Sequence, residues 1–203
     1  CGAAWFLAFA LVPAATGACG VADRVPFREG DIIFQPSRSA QSRAIQLATG
    51  SRYSHMGLIL QRDGRPVVFE AAGRVGFASL DEWILRGEGR HYVVKRLKRA
   101  DRLLTPSALE RLRAAARALE GRPYDLYFGW EDDRIYCSEL VWKVYERALG
   151  LRIGEPEPLS AFDLSAGEVR AKLRERYGDR PPLDEPMISP GAMFESSLLK
   201  TVP

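Results

Sequence analysis

An α+β fold built on a mainly antiparallel sheet is what this chain predicts, and three observations carry that expectation. Two apolar runs, Met56 to Leu60 and Val67 to Ala71, flank Arg62-Asp63-Gly64-Arg65, and Asp-Gly between such runs signals a tight hairpin. Two other segments repeat apolar residues every three and four positions, the period of a helix. Strands and helices alternate loosely, without the regular βαβ cadence that builds a parallel sheet.

Taken in order, Arg28-Glu29-Gly30-Asp31 reads as a turn launching the strand Ile32-Ile33-Phe34. Ser39 to Ala48 has helical spacing and closes at Gly50. The hairpin follows, then a strand from His91 to Leu97, where Tyr92-Val93-Val94 is rich in β-formers. Thr105-Pro106 starts a helix with a capping hydroxyl and a first-turn proline, and Leu109, Leu112, Ala116 and Leu119 line one face up to Gly121. Gly121 to Asp125 is a turn into the aromatic stretch Leu126-Tyr127-Phe128, and the acidic loop Glu131-Asp132-Asp133 comes next. Ser138 to Leu149 is the most apolar helix, ended by Gly150. A Pro-rich loop at 155–158 leads to a helix from about Gly167 to Tyr177, and Pro181, Pro182 and Pro190 mark an irregular tail.

The 203 residues are 46% hydrophobic and 27% charged, enough for one globular domain with a core of its own. A net charge of +3 with both signs interspersed is too weak and too scattered for a nucleic-acid surface, so no nucleic-acid partner is expected. Only two histidines are present, His55 and His91, with no Cys/His cluster at ligand spacing. No metal and no other cofactor is therefore expected, and no Walker-type phosphate loop or internal repeat occurs.

Residues 1–22 carry no charge. Ala3 to Val12 is a continuous apolar run, too short to span a bilayer, followed by Pro13 and small residues to Ala18. This reads as the apolar core and cleavage region of a secretory signal, with a buried N-terminal helix as the alternative. Residues 1–22 are thus assigned to a leader and 23–203 to one domain of an exported protein; in a bacterium that means the periplasm or cell envelope. Cleavage after Ala18 would expose Cys19 for lipid attachment and membrane anchoring, although Thr16 departs from the usual bacterial lipoprotein pattern.

With Cys1 in the leader and Cys19 at its end, Cys137 stands alone among the thiols. It lies just before an apolar helix, where unpaired amides and the positive helix end favour a thiolate. The Cys137 amide is also placed to donate to a tetrahedral oxyanion. If Asp63 and Gly64 are the turn residues, His55 faces Ala72 and Gly57 faces Glu70. His55 and Glu70 then share one sheet face as diagonal neighbours, within reach at ~7–8 Å between backbones. A carboxylate on one ring nitrogen fixes the tautomer and leaves the other nitrogen to take a proton. Cys137, His55 and Glu70 together are the parts of a cysteine hydrolase. Tyr53 has the parity of His55 and, with Tyr136, is a candidate for contacting substrate or oxyanion; packing is the alternative for both. Asp125 reads as a turn cap and His91 as a structural histidine.

Five stretches recur in a recognisable order: Gly30-Asp31-Ile32-Ile33-Phe34, Tyr53-Ser54-His55-Met56-Gly57, Val68-Phe69-Glu70-Ala71, Gly121-Arg122-Pro123-Tyr124-Asp125 and Tyr136-Cys137-Ser138-Glu139-Leu140-Val141. Together with Ile188-Ser189-Pro190 and Glu195-Ser196, they resemble the permuted papain-like hydrolases of the YaeF/YiiX branch of the NlpC-type superfamily. The resemblance runs from about Glu29 to Val202. It implies a circularly permuted papain-like fold, an antiparallel sheet packed on helices, with Cys137 as nucleophile, His55 as general base and acid, and Glu70 as the orienting third residue. Met56 departs from the small β-branched residue usual there, a change a half-buried strand absorbs.

The reading that follows is an envelope cysteine hydrolase cleaving an amide in a cell-wall peptide or related small peptide, through an acyl-enzyme. Two rivals stand beside it: a lipid acyl hydrolase or acyltransferase using the same Cys–His pair, and a non-catalytic envelope binding module.

Overall fold

A computed structural model describes residues 27–39 and 41–203 of the protein. The expected leader, with Cys1 and Cys19, lies outside the described residues. In chain order the first half holds β1 (Ile32–Gln35), α1 (Ser42–Thr49), β2 (His55–Arg62), β3 (Arg65–Ala72), β4 (Arg74–Ser79), α2 (Leu80–Leu85) and β5 (Val93–Leu97). The second half holds α3 (Ala100–Leu103), α4 (Pro106–Leu119), α5 (Cys137–Leu149), β6 (Glu157–Pro158), α6 (Gly167–Tyr177), β7 (Pro186–Met187), α7 (Pro190–Phe194) and β8 (Leu199–Val202).

One antiparallel sheet runs in the order β4-β3-β2-β1-β5-β8. The β2–β3 hairpin has the register the turn predicts, Arg62 opposite Arg65 and Leu58 opposite Phe69. Asp63 and Gly64 close it with φ of 51° and 72°, the left-handed pair that matches the strand twist. The pleat then sorts the side chains. Met56, Leu58, Leu60, Phe69 and Ala71 meet Leu140, Val141 and Val144 of α5, and α4 adds Leu112, Ala116 and Leu119 behind it. Ile33, Ile59 and Val68 turn the other way, under Trp83 of α2. Each such buried aliphatic side chain contributes ~1.5–3 kcal/mol, so the sheet is clamped firmly against α5.

Thr105 caps α4 by accepting from the Ala108 amide at 3.3 Å, and Gly150 ends α5 in the left-handed conformation, as expected. At the start of β1 a buried bidentate ion pair ties the sheet together: Arg96 donates to both Asp31 oxygens at 2.7 Å.

Several elements depart from expectation. β4 is not expected from the sequence, where Gly73 and Gly76 interrupt its pattern; it forms because the β3 edge accepts it from Val67 to Ala72. The tail is not irregular. Ser189 caps α7 with Pro190 in its first turn, and β8 completes the sheet beside β5. α2 carries a capping box legible in Ser79 and Glu82, with Glu82 N–H donating to Ser79 at 3.3 Å and Ser79 N–H donating back at 3.1 Å.

Candidate active site

His55 opens β2, directly opposite Gln35 of β1. The hairpin register carries Glu70 to the same sheet face, and there His55 Nε2 lies 2.6 Å from Glu70 Oε2. Arg86, just past α2, donates to the second oxygen of Glu70. Trp83 stacks on the imidazole with ring centres 5.9 Å apart, covering the His55–Glu70 pair. The carboxylate is nearly enclosed, its side chain 5% exposed, so without these partners its charge would be costly.

Cys137 is the first residue of α5, one position earlier than the sequence places the helix start, and it is buried. The first i-to-i−4 bond of the helix is donated by Leu140 to the Tyr136 carbonyl at 2.9 Å. Amides ahead of it have no intrahelical acceptor, which keeps the Cys137 N–H free for an oxyanion. The helix head is anchored by Glu139, which accepts the Tyr136 amide at 3.2 Å and pairs with Lys143 at 2.7 Å. Burial outweighs those partners and raises Glu139 to about 7.

The Cys137 thiol is near enough to the His55 ring to be among the groups that shift its pKa. Nε2 is bonded to Glu70, which leaves Nδ1 as the nitrogen available to the sulfur. Burial works against a charged imidazole, but the hydrogen bonds and charges of Cys137 and Glu70 prevail and raise His55 from 6.5 to about 9. Glu70 moves the other way: burial would raise it, yet His55 and Arg86 together hold it below the ordinary carboxylate range. Glu70 and the helix-head thiol thus both favour the charged imidazole, the former through a direct bond to Nε2.

Tyr53 packs its ring on Phe194 at 4.2 Å and on His91 at 6.2 Å, within an aromatic cluster that includes Phe34. The Tyr136 hydroxyl is buried and accepts the Ile188 amide at 3.1 Å, while its ring meets Phe128 edge-on. Both rings are thus engaged in packing, and Tyr136 also borders the same apolar cavity as Cys137. Asp125 accepts the Tyr127 and Gly129 amides at 2.8 and 2.6 Å, capping its turn as expected.

Tyr124 is the phenol that sequence reasoning passed over. Its hydroxyl accepts from Gln41 Nε2 at 2.7 Å, and Gln41 in turn accepts from Arg176 of α6. Burial and the neighbouring Cys137 sulfur push Tyr124 above its ordinary value, so it stays protonated with its own O–H free to donate. No local pattern marks this chain of contacts, since it joins three distant segments.

Two concavities meet at Tyr124. One is an apolar cavity of about 790 Å³, counted to its open mouth, with Cys137 on its wall among Ala44, Ile45, Leu159, Phe162 and Val169. The other is a polar groove of about 2030 Å³ that holds His55, with Gln35, Arg38, Arg86 and Arg176 along it.

A family model described as permuted papain-like amidase enzyme, YaeF/YiiX, C92 family, matches residues 26–203. The uncharacterized protein YiiX of Escherichia coli K12 is 51% identical over 173 residues, spanning 85% of this chain and 84% of YiiX. The crystal structure of the metalloprotein YiiX from Escherichia coli O157:H7 is similar with a TM-score of 0.83 at 50% identity, over 87% of this chain and 96% of that one. That relative is described as a metalloprotein. Among the described residues here, no group of three or more His, Cys, Asp and Glu side chains is assembled to hold an ion. His55 Nε2 is bonded to Glu70, whose other oxygen is taken by Arg86, so these side chains are committed to one another rather than to an ion.

Proposed function

The chain belongs to the permuted papain-like amidase family, with its circularly permuted papain-like fold, and on that premise we propose a cell-envelope cysteine hydrolase that cleaves amides through Cys137, His55 and Glu70. The observation that carries the triad is the imidazole bonded to Glu70 at 2.6 Å beside the helix-head thiol, with its pKa raised to about 9 by both neighbours. The Cys137 thiolate attacks the amide carbonyl, and the carbonyl oxygen becomes an oxyanion facing the Cys137 amide and the Tyr124 hydroxyl. Imidazolium His55 gives its proton to the departing nitrogen, the C–N bond breaks, and a thioester remains. Neutral His55 then takes a proton from water, hydroxide adds to the thioester, and the acid leaves as the thiolate returns with its imidazolium. Glu70 keeps the ring in one tautomer throughout.

An exported cell-wall peptide or small peptide is the substrate this reading favours, supported by the signal-like run before Cys19. Incubation of a slow-deacylating variant with envelope extract, followed by intact mass measurement, tests it. A peptidyl adduct on Cys137 is expected; no adduct, or one that persists in Cys137→Ala, refutes it.

The apolar cavity favours a second reading, hydrolysis or transfer of a lipid acyl group. A fatty-acyl mass on Cys137 in the same experiment selects it. Narrowing the cavity with Ala44→Trp would then lower turnover of long acyl chains more than short ones.

A further inference from the structure

The two concavities hold different halves of the reacting bond. His55 must protonate the leaving nitrogen, and it lies in the polar groove; Cys137 keeps the acyl group, and it lies on the apolar cavity. Tyr124 lines both and marks the boundary. The groove is cationic. Arg86 is committed to Glu70 and Lys172 to Glu175. Arg38 has no ion-pair partner among the described residues, and Arg176 donates to a neutral carboxamide, so neither charge is cancelled by a paired acid. A second feature points to a ligand independently. Gln35, 1% exposed, lines the groove opposite His55, and neither atom of its carboxamide has a hydrogen-bond partner among the described residues. Space for that amide is kept by Gly87, where a Cβ would come within 2.4 Å of Gln35 Oε1. An orphaned buried amide costs ~1–3 kcal/mol, which a bound polar group would offset.

We propose that the groove is a carboxylate-recognition subsite: the amine released when Cys137 is acylated bears a carboxylate, held by Arg38 and Arg176, with Gln35 offering its carboxamide to the same leaving group. The proposal rests on the amidase reading and specifies its leaving group. Guanidinium groups suit it because they grip carboxylates with two parallel N–H bonds. Acyl amino acids and peptides ending in a free carboxylate fit the subsite; amides of simple alkylamines do not.

The test compares three substrates with one acyl group, carried on glycine, on glycinamide and on O-phosphoethanolamine. Wild type is expected to prefer the glycine conjugate over the glycinamide by about tenfold in kcat/KM, the size of one charge-assisted hydrogen bond. Arg38→Gln should collapse that ratio toward one, and added salt should shrink it for wild type. Equal rates on glycine and glycinamide conjugates overturn the subsite while leaving the amidase reading standing. A preference for the phosphate conjugate also overturns it, by assigning the groove to another anion. Failure of all three to acylate Cys137 removes the amidase reading and the subsite together.

Discussion

His55 and Glu70 meet at 2.6 Å as diagonal neighbours of one hairpin, with Arg86 closing the far side of the carboxylate. That arrangement sets the tautomer of the ring and leaves Nδ1 as the nitrogen free to serve Cys137. Glu70→Gln keeps the size and removes the charge. Turnover is expected to fall by about a hundredfold or more, following what loss of an orienting carboxylate does elsewhere. An unchanged circular dichroism spectrum beside an unchanged kcat would refute the role.

The pH response follows from His55, raised from 6.5 to about 9. Acylation should stay high through neutral pH and decline as the imidazolium deprotonates near 9. Because Glu70 is among the groups raising the ring, Glu70→Gln should move that decline to lower pH. A folded value above the unfolded one stabilises the fold fully below about 6.5 and loses that contribution between 6.5 and about 9. Urea midpoints at pH 6 and pH 9.5, compared between wild type and His55→Gln, read this term directly; a parallel dependence in both would exclude it.

Tyr124→Phe removes one hydroxyl from the site and leaves the Gln41 amide without its acceptor. Loss of an oxyanion donor costs about 10²–10³ in kcat. Alkylation of Cys137 by iodoacetamide forms no oxyanion, so its rate should change little in the same variant. Equal losses in both reactions would mean that the phenol only supports packing.

Arg96→Met should be the severe stability variant outside the site, at about 3–5 kcal/mol, because it strands the buried Asp31 charge at the head of β1. The double change Asp31→Asn with Arg96→Met should recover part of the loss, as measured by urea unfolding. No recovery would show that the pair acts by shape alone.

Much of this was legible in the chain. Asp63-Gly64 pins the hairpin, and the strict alternation of the pleat then obliges His55 and Glu70 to share a face. The apolar period from Ser138 announces α5, with Cys137 at its head. β4 and β8 were not legible: one is broken by glycines and the other is only four residues long, so each exists through pairing with an edge rather than through its own propensity. α2 was not read from the chain either, although Ser79 and Glu82 spell its capping box; its Trp83 covers the pair, and Arg86 at its end holds Glu70.

Sequence alone determined the hairpin register, the helix that begins at the thiol and the chemical types a cysteine hydrolase requires, because turns, caps and periods depend on neighbours along the chain. Tertiary structure decided that the thiol comes near the imidazole, that Tyr124 stands where the two concavities meet, and that an apolar cavity and a cationic groove join there. Those relations come from how the sheet, α5 and α6 pack against one another, and no local pattern encodes the angle at which separate elements are pressed together.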